Sequence, residues 1–161
     1  MPPAIIVAST ARTGASQPQV RDGVGRLTNY DPALVNETDP KLIEKDLQIA
    51  RQLEPDFIIV YMHWGWEYRT KENPHQRKLA QQLFEWGADL VVGAHPHVVQ
   101  PVYSSMQEDR KVLVAYSLGN FISNQNSVYS DGGVMFEITL EKNLRTGKTN
   151  IGSHHYIPIW R

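Results

Sequence analysis

Apolar residues recur along this chain in two periods, and the shift from one to the other organises it. "AIIVAS", residues 4–9, is a short apolar run of strand type. "TDPKLIEKDLQIARQL", residues 38–53, has helical spacing: Leu42, Ile43, Leu47, Ile49, Ala50 and Leu53 fall on one broad apolar face. Thr38 or Asp39 suits its cap, Pro40 its first turn, and Pro55 ends it. Phe57 to Met62 is a continuous apolar run with β-branched residues, the pattern of a strand covered on both faces. In "NPHQRKLAQQLFEWGA", residues 73–88, Leu79, Ala80, Leu83, Phe84 and Trp86 return to helical spacing, and Gly87 is a good stop. "DLVVGAH", residues 89–95, is again a short buried strand. Strand, helix and strand in close succession predict a βαβ unit with parallel strands near 57–62 and 89–93 and a helix over about 75–86 crossing between them.

After Pro101 the helical period disappears. "VLVAYSLGNF", "GVMFEITLE" and "TNIGSHHYIPIW" read as strands, with "KNLRTGK" as a hairpin connection between the last two. The stretch from about Thr10 to Asn36 has neither period and reads as a long polar loop. The expected fold class is α/β: an α/β first part joined to a more antiparallel second part around one core.

Composition narrows the function more than the fold. The 161 residues carry a net charge of −1, with 41% hydrophobic and 20% charged positions. No basic stripe suggests nucleic acid, and no polybasic run suggests a membrane surface. No apolar run approaches the roughly 20 residues of a membrane helix. The first ten residues lack the pattern of a signal peptide. There is no cysteine, so disulfides and thiolate metal sites are excluded.

Histidines supply the chemistry. Parallel strands deliver their following loops to one sheet edge, where open α/β folds place ligands. His63 directly follows the first strand of the βαβ unit, and His95 and His97 directly follow the second. Pro96 fixes its own φ and biases His95 toward extended backbone, and residues two apart in an extended segment point the same way. His95 and His97 are then two ligands of one metal, or one ligand each of two adjacent metals. A kinked turn whose imidazoles bond to backbone is the bland alternative. His75 begins a helix on its solvent side. His154 and His155 are adjacent in a strand and face opposite ways, so at most one reaches a shared site.

Carboxylates are poorly placed by comparison. Asp56 and Asp89 precede their strands and lie at the opposite edge, on the order of 15–20 Å from the histidines. Glu67, in "HWGWEY", is on the correct side to coordinate, to act as a base or to orient a histidine. Asp131, in "SDGGV", reads as a turn residue. A two-metal hydrolytic centre needs bridging oxygen ligands, so the site looks incomplete from sequence.

"HWGWEY", then "GADLVVGAHPHVVQP", then "AYSLGNF" resembles, over about residues 40–125, the bacterial capsule-synthesis family called CapA or PGA_cap, within the calcineurin-like metallophosphoesterase superfamily. The resemblance implies a two-sheet sandwich flanked by helices with a dinuclear metal centre at the strand ends. His63 matches the family's isolated histidine, and Gly93, His95 and His97 match its Gly-x-His-x-His signature; Ala94 stands where the family often has a further histidine. Asn120 in "SLGNF" would bond substrate or a ligand histidine, while Gly119 would permit a tight turn. The implied metal ligands are His63, His95 and His97, and the implied catalytic group is His95 with Glu67 and Asn120. The implied cofactor is a divalent transition metal, Mn, Fe or Zn rather than Mg or Ca because the ligands are nitrogen.

Two early family motifs are absent, a Gly-Asp strand end and an Asn-Asn-His segment. The chain therefore reads as one partial domain, residues 1–161, from the C-terminal part of the fold. The expected function is capsule or poly-γ-glutamate biosynthesis, with phosphoester hydrolysis once the site is completed and little from the isolated chain. The alternative is a non-catalytic module for assembly or export of an anionic capsular polymer. Expected partners are an anionic polymer or phosphoester substrate, and the missing N-terminal half or a second copy. The resemblance suggests a cell-envelope location.

Overall fold

The computed structural model describes residues 39–160 and the backbone of residues 5–10; the polar stretch read as a long loop lies almost wholly outside them. In chain order the elements are β1 (Ile5–Thr10), α1 (Pro40–Gln52), β2 (Ile58–His63), α2 (Pro74–Glu85), β3 (Leu90–Ala94), β4 (Val102–Gln107), β5 (Arg110–Ala115), β6 (Gly132–Lys142) and β7 (Thr149–Trp160). A five-stranded sheet runs β1-β2-β3-β5-β4, and β6 and β7 form a separate two-stranded sheet. β1, β2, β3 and β5 are parallel, while β4 returns antiparallel to β5. The fold is thus α/β with two sheets, and the βαβ unit has its expected parallel strands.

Alternation along the central strands builds two cores. Ile58, Val60 and Met62 of β2, Val91 of β3, and Val112 and Val114 of β5 pack against Ile43, Leu47 and Ala50 of α1 and Leu79, Leu83 and Phe84 of α2. The intervening residues Ile59, Leu90, Val92 and Leu113 face the other way and meet Phe136, Ile138 and Ile151 of the hairpin. Both faces of the sheet are therefore apolar, which is why β2 and β3 read as continuous runs. Burying such side chains is worth about 1.5–3 kcal/mol each.

The helices begin where their caps dictate. The Asp39 side chain accepts from Lys41 N at 2.9 Å. Asn73 and Gln76 form a reciprocal capping box, with Asn73 Oδ1 accepting from Gln76 N at 2.9 Å and Gln76 Oε1 accepting from Asn73 N at 3.0 Å. The buried stripe of α1 is narrower than its apolar pattern: Leu42, Ile49 and Leu53 are 44%, 49% and 67% exposed, because one sheet covers only the Ile43–Leu47–Ala50 line. Trp86, the α2 cap residue, packs only partly buried at the rim of the core.

The antiparallel half departs further from its pattern. The strand expected over 112–121 ends at Ala115, and the chain instead makes single bridges: Val99 to Leu118 joins the segments after β3 and β5, and Gly119 to Gly133 ties this end of the large sheet to β6. β4 leaves no signal in the sequence; it is an edge strand whose Tyr103, Ser104, Ser105 and Met106 are all exposed, so nothing imposes an alternating pattern on it. The Asn143–Lys148 turn closes the β6–β7 hairpin as expected, with Asn143 N donating to Lys148 O at 2.8 Å.

Candidate metal centre

Three loops at the carboxyl ends of β2, β3 and β5 converge. His63 is the last residue of β2 and pairs in register with Ala94, the last of β3. Trp64 N continues this ladder by donating to Ala94 O at 3.1 Å, and Tyr68 N donates to Pro96 O at 2.8 Å, so the two loops are joined by backbone. The His63 and His95 rings lie 4.6 Å apart and the His95 and His97 rings 6.1 Å apart. Glu67, His95 and His97 bring one ligand atom each within 4.8 Å of one another, and among the described residues they are the group of three metal-type side chains that does so.

The route to this convergence differs from the extended segment expected around Pro96. His95 has φ 100 and His97 φ 60, both in the left-handed half of backbone space, which non-glycine residues occupy at a cost of order 1–3 kcal/mol. Two successive bends, with Pro96 buried between them, turn both imidazoles toward the β2 loop. The proline still fixes one torsion, but His95 before it does not take extended backbone, and the Pro96 carbonyl between the two bends accepts from Tyr68 N. Strain held by the surrounding fold at this point marks it for a function.

Buried amides hold the Glu67 loop. Gln76 Nε2 donates to Gln100 Oε1 at 3.0 Å, and Gln100 Nε2 donates to Arg69 O at 2.8 Å and Lys71 O at 3.2 Å. Neither glutamine stands out in the sequence. The capping pattern Asn73-Pro-His-Gln76 carries a signal for Gln76, whereas nothing local marks Gln100. Tyr68 stacks on His97 with centroids 6.0 Å apart. On the β5 side, Asn120 Oδ1 lies 3.0 Å from His97 Nδ1. Gly119, at φ 72 and bridged to Gly133, takes the left-handed backbone just before Asn120.

The electrostatics suit a neutral His63. Burial pushes the His63 pKa below its ordinary value, and the neighbouring His95 and His97 push it the same way. A deprotonated imidazole is the form that coordinates metal. His97 Nε2 stands 3.8 Å from Glu67 Oε1, with side chains 29% and 50% exposed. Ligand atoms around a tetrahedral zinc at bond lengths of roughly 2.0–2.1 Å are about 3.4 Å apart, so small side-chain movements bring this group to coordination distance. Two nitrogens and one oxygen fit zinc, iron or manganese better than calcium or magnesium.

The other ionisable candidates lie elsewhere. Asp89 Oδ2 accepts from Ile58 N at 2.7 Å and its Oδ1 from Arg110 Nη1 at 2.6 Å, at the opposite sheet edge. Asp56 pairs with Lys142 at 2.6 Å at that same edge. His75 is exposed, as is His155. His154 packs between Phe136 and Tyr156 in the hairpin. Asp131 sits in the turn before β6.

Over residues 4–125 the chain matches the family described as bacterial capsule synthesis protein PGA_cap. It belongs to that family. The match extends to residue 4 and so takes in β1, beyond the reach of the three motifs alone. The chain is 33% identical over 123 residues to the PGA biosynthesis protein CapA of Bacillus subtilis (strain 168), covering 74% of this chain and 31% of that protein. It is 35% identical over 101 residues to the capsule biosynthesis protein CapA of Bacillus anthracis, covering 60% of this chain and 24% of that protein. The chain thus spans about a third or less of the curated relatives it matches. Among the described residues no helix is long and apolar enough to cross a membrane.

Proposed function

We propose that this chain supplies the histidine-bearing side of a divalent-metal centre in a capsule or poly-γ-glutamate biosynthesis protein, acting on a phosphoester when its remaining oxygen ligands are present. The observation that carries the reading is the convergence of Glu67, His95 and His97, with His63 packed against His95, on one sheet edge of a PGA_cap-family chain. His95, His97 and Glu67 would hold the ion, and His63 would hold it or a second one beside it. A divalent ion there would supply Lewis-acid polarisation of a phosphoryl oxygen. The chain's own part is to fix the ligands: Tyr68 packs on His97, the two glutamines hold the Glu67 loop, and burial keeps His63 neutral.

Titration calorimetry with zinc or manganese is the direct test. We expect binding by the wild type and a large loss in His97→Ala; equal heats from the two proteins would remove the assignment. With one carboxylate in the group, the 161 residues alone are expected to hydrolyse generic phosphomonoesters or diesters weakly or not at all. Robust histidine-dependent turnover would show that the site is already sufficient.

One observation favours a second reading. Both relatives are named for biosynthesis, which a non-catalytic module handling an anionic capsular polymer would also satisfy. Polymer binding that persists in chelator and in His97→Ala would select that reading.

A further inference from the structure

We infer that Asn120 is a positioning residue that locks His97 in the Nδ1–H tautomer and so presents a bare Nε2 to the site. The backbone oxygen of Ser130 can only accept a hydrogen bond. It lies 2.8 Å from one terminal atom of the Asn120 amide, so that atom is the amide nitrogen. The second hydrogen of this nitrogen goes to Gln125 Oε1 at 3.1 Å. With the nitrogen committed on that side, the amide oxygen is the atom that faces His97 Nδ1 at 3.0 Å. An amide oxygen has no hydrogen to give, so Nδ1 must donate. A neutral imidazole carries one N–H, and Nε2 is therefore left with its lone pair.

That lone pair is the one directed at the shared site, since Nε2 faces Glu67 Oε1 at 3.8 Å. Two acceptors facing each other repel, and a cation between them relieves the repulsion. The opposite tautomer would place an N–H in the gap and withdraw Nε2 as a ligand. Metal-ligating histidines commonly donate their other N–H to a fixed acceptor, and losing that acceptor costs about 10–100-fold in affinity.

Here the acceptor is fixed from a distance in sequence. Asn120 N donates to Gly132 O at 3.1 Å, anchoring its backbone to the start of β6. Ser130 is fully buried, and its hydroxyl donates to Ser127 O at 2.7 Å, with Gln125 O 3.3 Å away as the alternative acceptor. The 120–132 turn thus decides which nitrogen of His97 is open. Asn120 is accordingly assigned a positioning role, in place of the catalytic one the resemblance implied. The consequence for metal affinity rests on the function proposed above; the tautomer does not.

The test is a long-range proton–nitrogen correlation spectrum of the intact, nitrogen-15-labelled chain in chelator, about two pH units above the ordinary imidazole value of roughly 6.5. We expect His97 to show a pyrrole-type Nδ1 and a pyridine-type Nε2. The reverse pattern, or an even mixture, would overturn the inference. Asn120→Asp gives up the amide hydrogen bonds to Ser130 O and Gln125 Oε1 but keeps an acceptor toward Nδ1, and is expected to retain the Nδ1–H form. Asn120→Ala should move His97 toward the Nε2–H form favoured in water and weaken zinc binding by about tenfold or more. An Asn120→Ala protein that keeps both the tautomer and the zinc affinity would also overturn it. If Asn120→Ala does not fold, the wild-type and Asn120→Asp spectra decide the matter. If the wild type binds no zinc, the metal reading fails while the spectrum still tests the tautomer.

Discussion

Replacing Gly93 with alanine should damage the fold and the histidine site together. Gly93 is the fourth residue of β3, two before His95, and its backbone torsions are not the reason for glycine. Space is. A Cβ there would lie 2.0 Å from Tyr116 O and 2.4 Å from Trp64 Nε1. The Trp64 indole crosses the sheet edge at this point to donate to Tyr116 O at 2.9 Å, and both residues are buried. Reaching ordinary contact at 3.4 Å requires the carbonyl and the new methyl to separate by about 1.4 Å, and the nearest obstacle is backbone, not a flexible side-chain tip.

Overpacking of this kind costs about 1–3 kcal/mol, and loss of the indole hydrogen bond about 1 kcal/mol more. The expected destabilisation is therefore about 3 kcal/mol, a large part of a typical total of roughly 5–15 kcal/mol. Gly147→Ala is the control. Gly147 has φ 73, and a methyl added there would meet nothing within 4 Å, so only backbone strain of about 1 kcal/mol applies. Urea denaturation followed by tryptophan fluorescence gives both values. Equal losses, or a greater loss at Gly147, would refute the close-approach argument. Calorimetry on folded Gly93→Ala should also show weakened zinc binding, because the strand end that aims His95 has moved.

Removing one partner of a buried pair costs about 3–5 kcal/mol, and Asp89→Ala, which strands the Ile58 N–H and unpairs Arg110, should cost about 3 kcal/mol in urea denaturation, because the Arg110 bonds to Phe84, Gly87 and Ala88 carbonyls remain. Burial, with Glu72 nearby, raises the Tyr116 pKa to about 12. The unfolded chain ionises near about 10, so this contribution is intact below that pH and is lost as pH rises from there through about 12; ultraviolet titration should find a phenol ionising near about 12 that disappears in Tyr116→Phe. The depressed His63 pKa acts at the other end. The unfolded chain takes up the proton near about 6.5 and the folded chain resists it, so metal-free stability should fall as pH drops below that value toward the folded pKa. Thermal melts in chelator should show a shallower pH slope for His63→Asn, and an unchanged slope would refute the assignment.

The sequence by itself determined the βαβ frame. Phe57–Met62 and Leu90–Val92 are apolar on both faces because helices cover one side and a hairpin the other, and a parallel sheet allows no other pattern. Once the strands are parallel, His63 and His95 must leave from one edge, and Asp56 and Asp89 must lie at the other, where they pair with Lys142 and Arg110. These conclusions need only local periodicity and chain direction. What tertiary structure decided was orientation. The two bends at His95 and His97 flank a carbonyl that accepts from Tyr68 N, nearly thirty residues earlier, and no neighbour of Pro96 encodes that bond. Glu67 joins His95 and His97 because Gln76 and Gln100 hold its loop from a helix and a turn. Asn120 reaches His97 only because β5 lies beside β3, a strand order that sequence order does not give. Periodicity reports how each residue stands to its own element. The meeting of three loops is set by side chains that bond across elements, and those bonds leave no period in the chain.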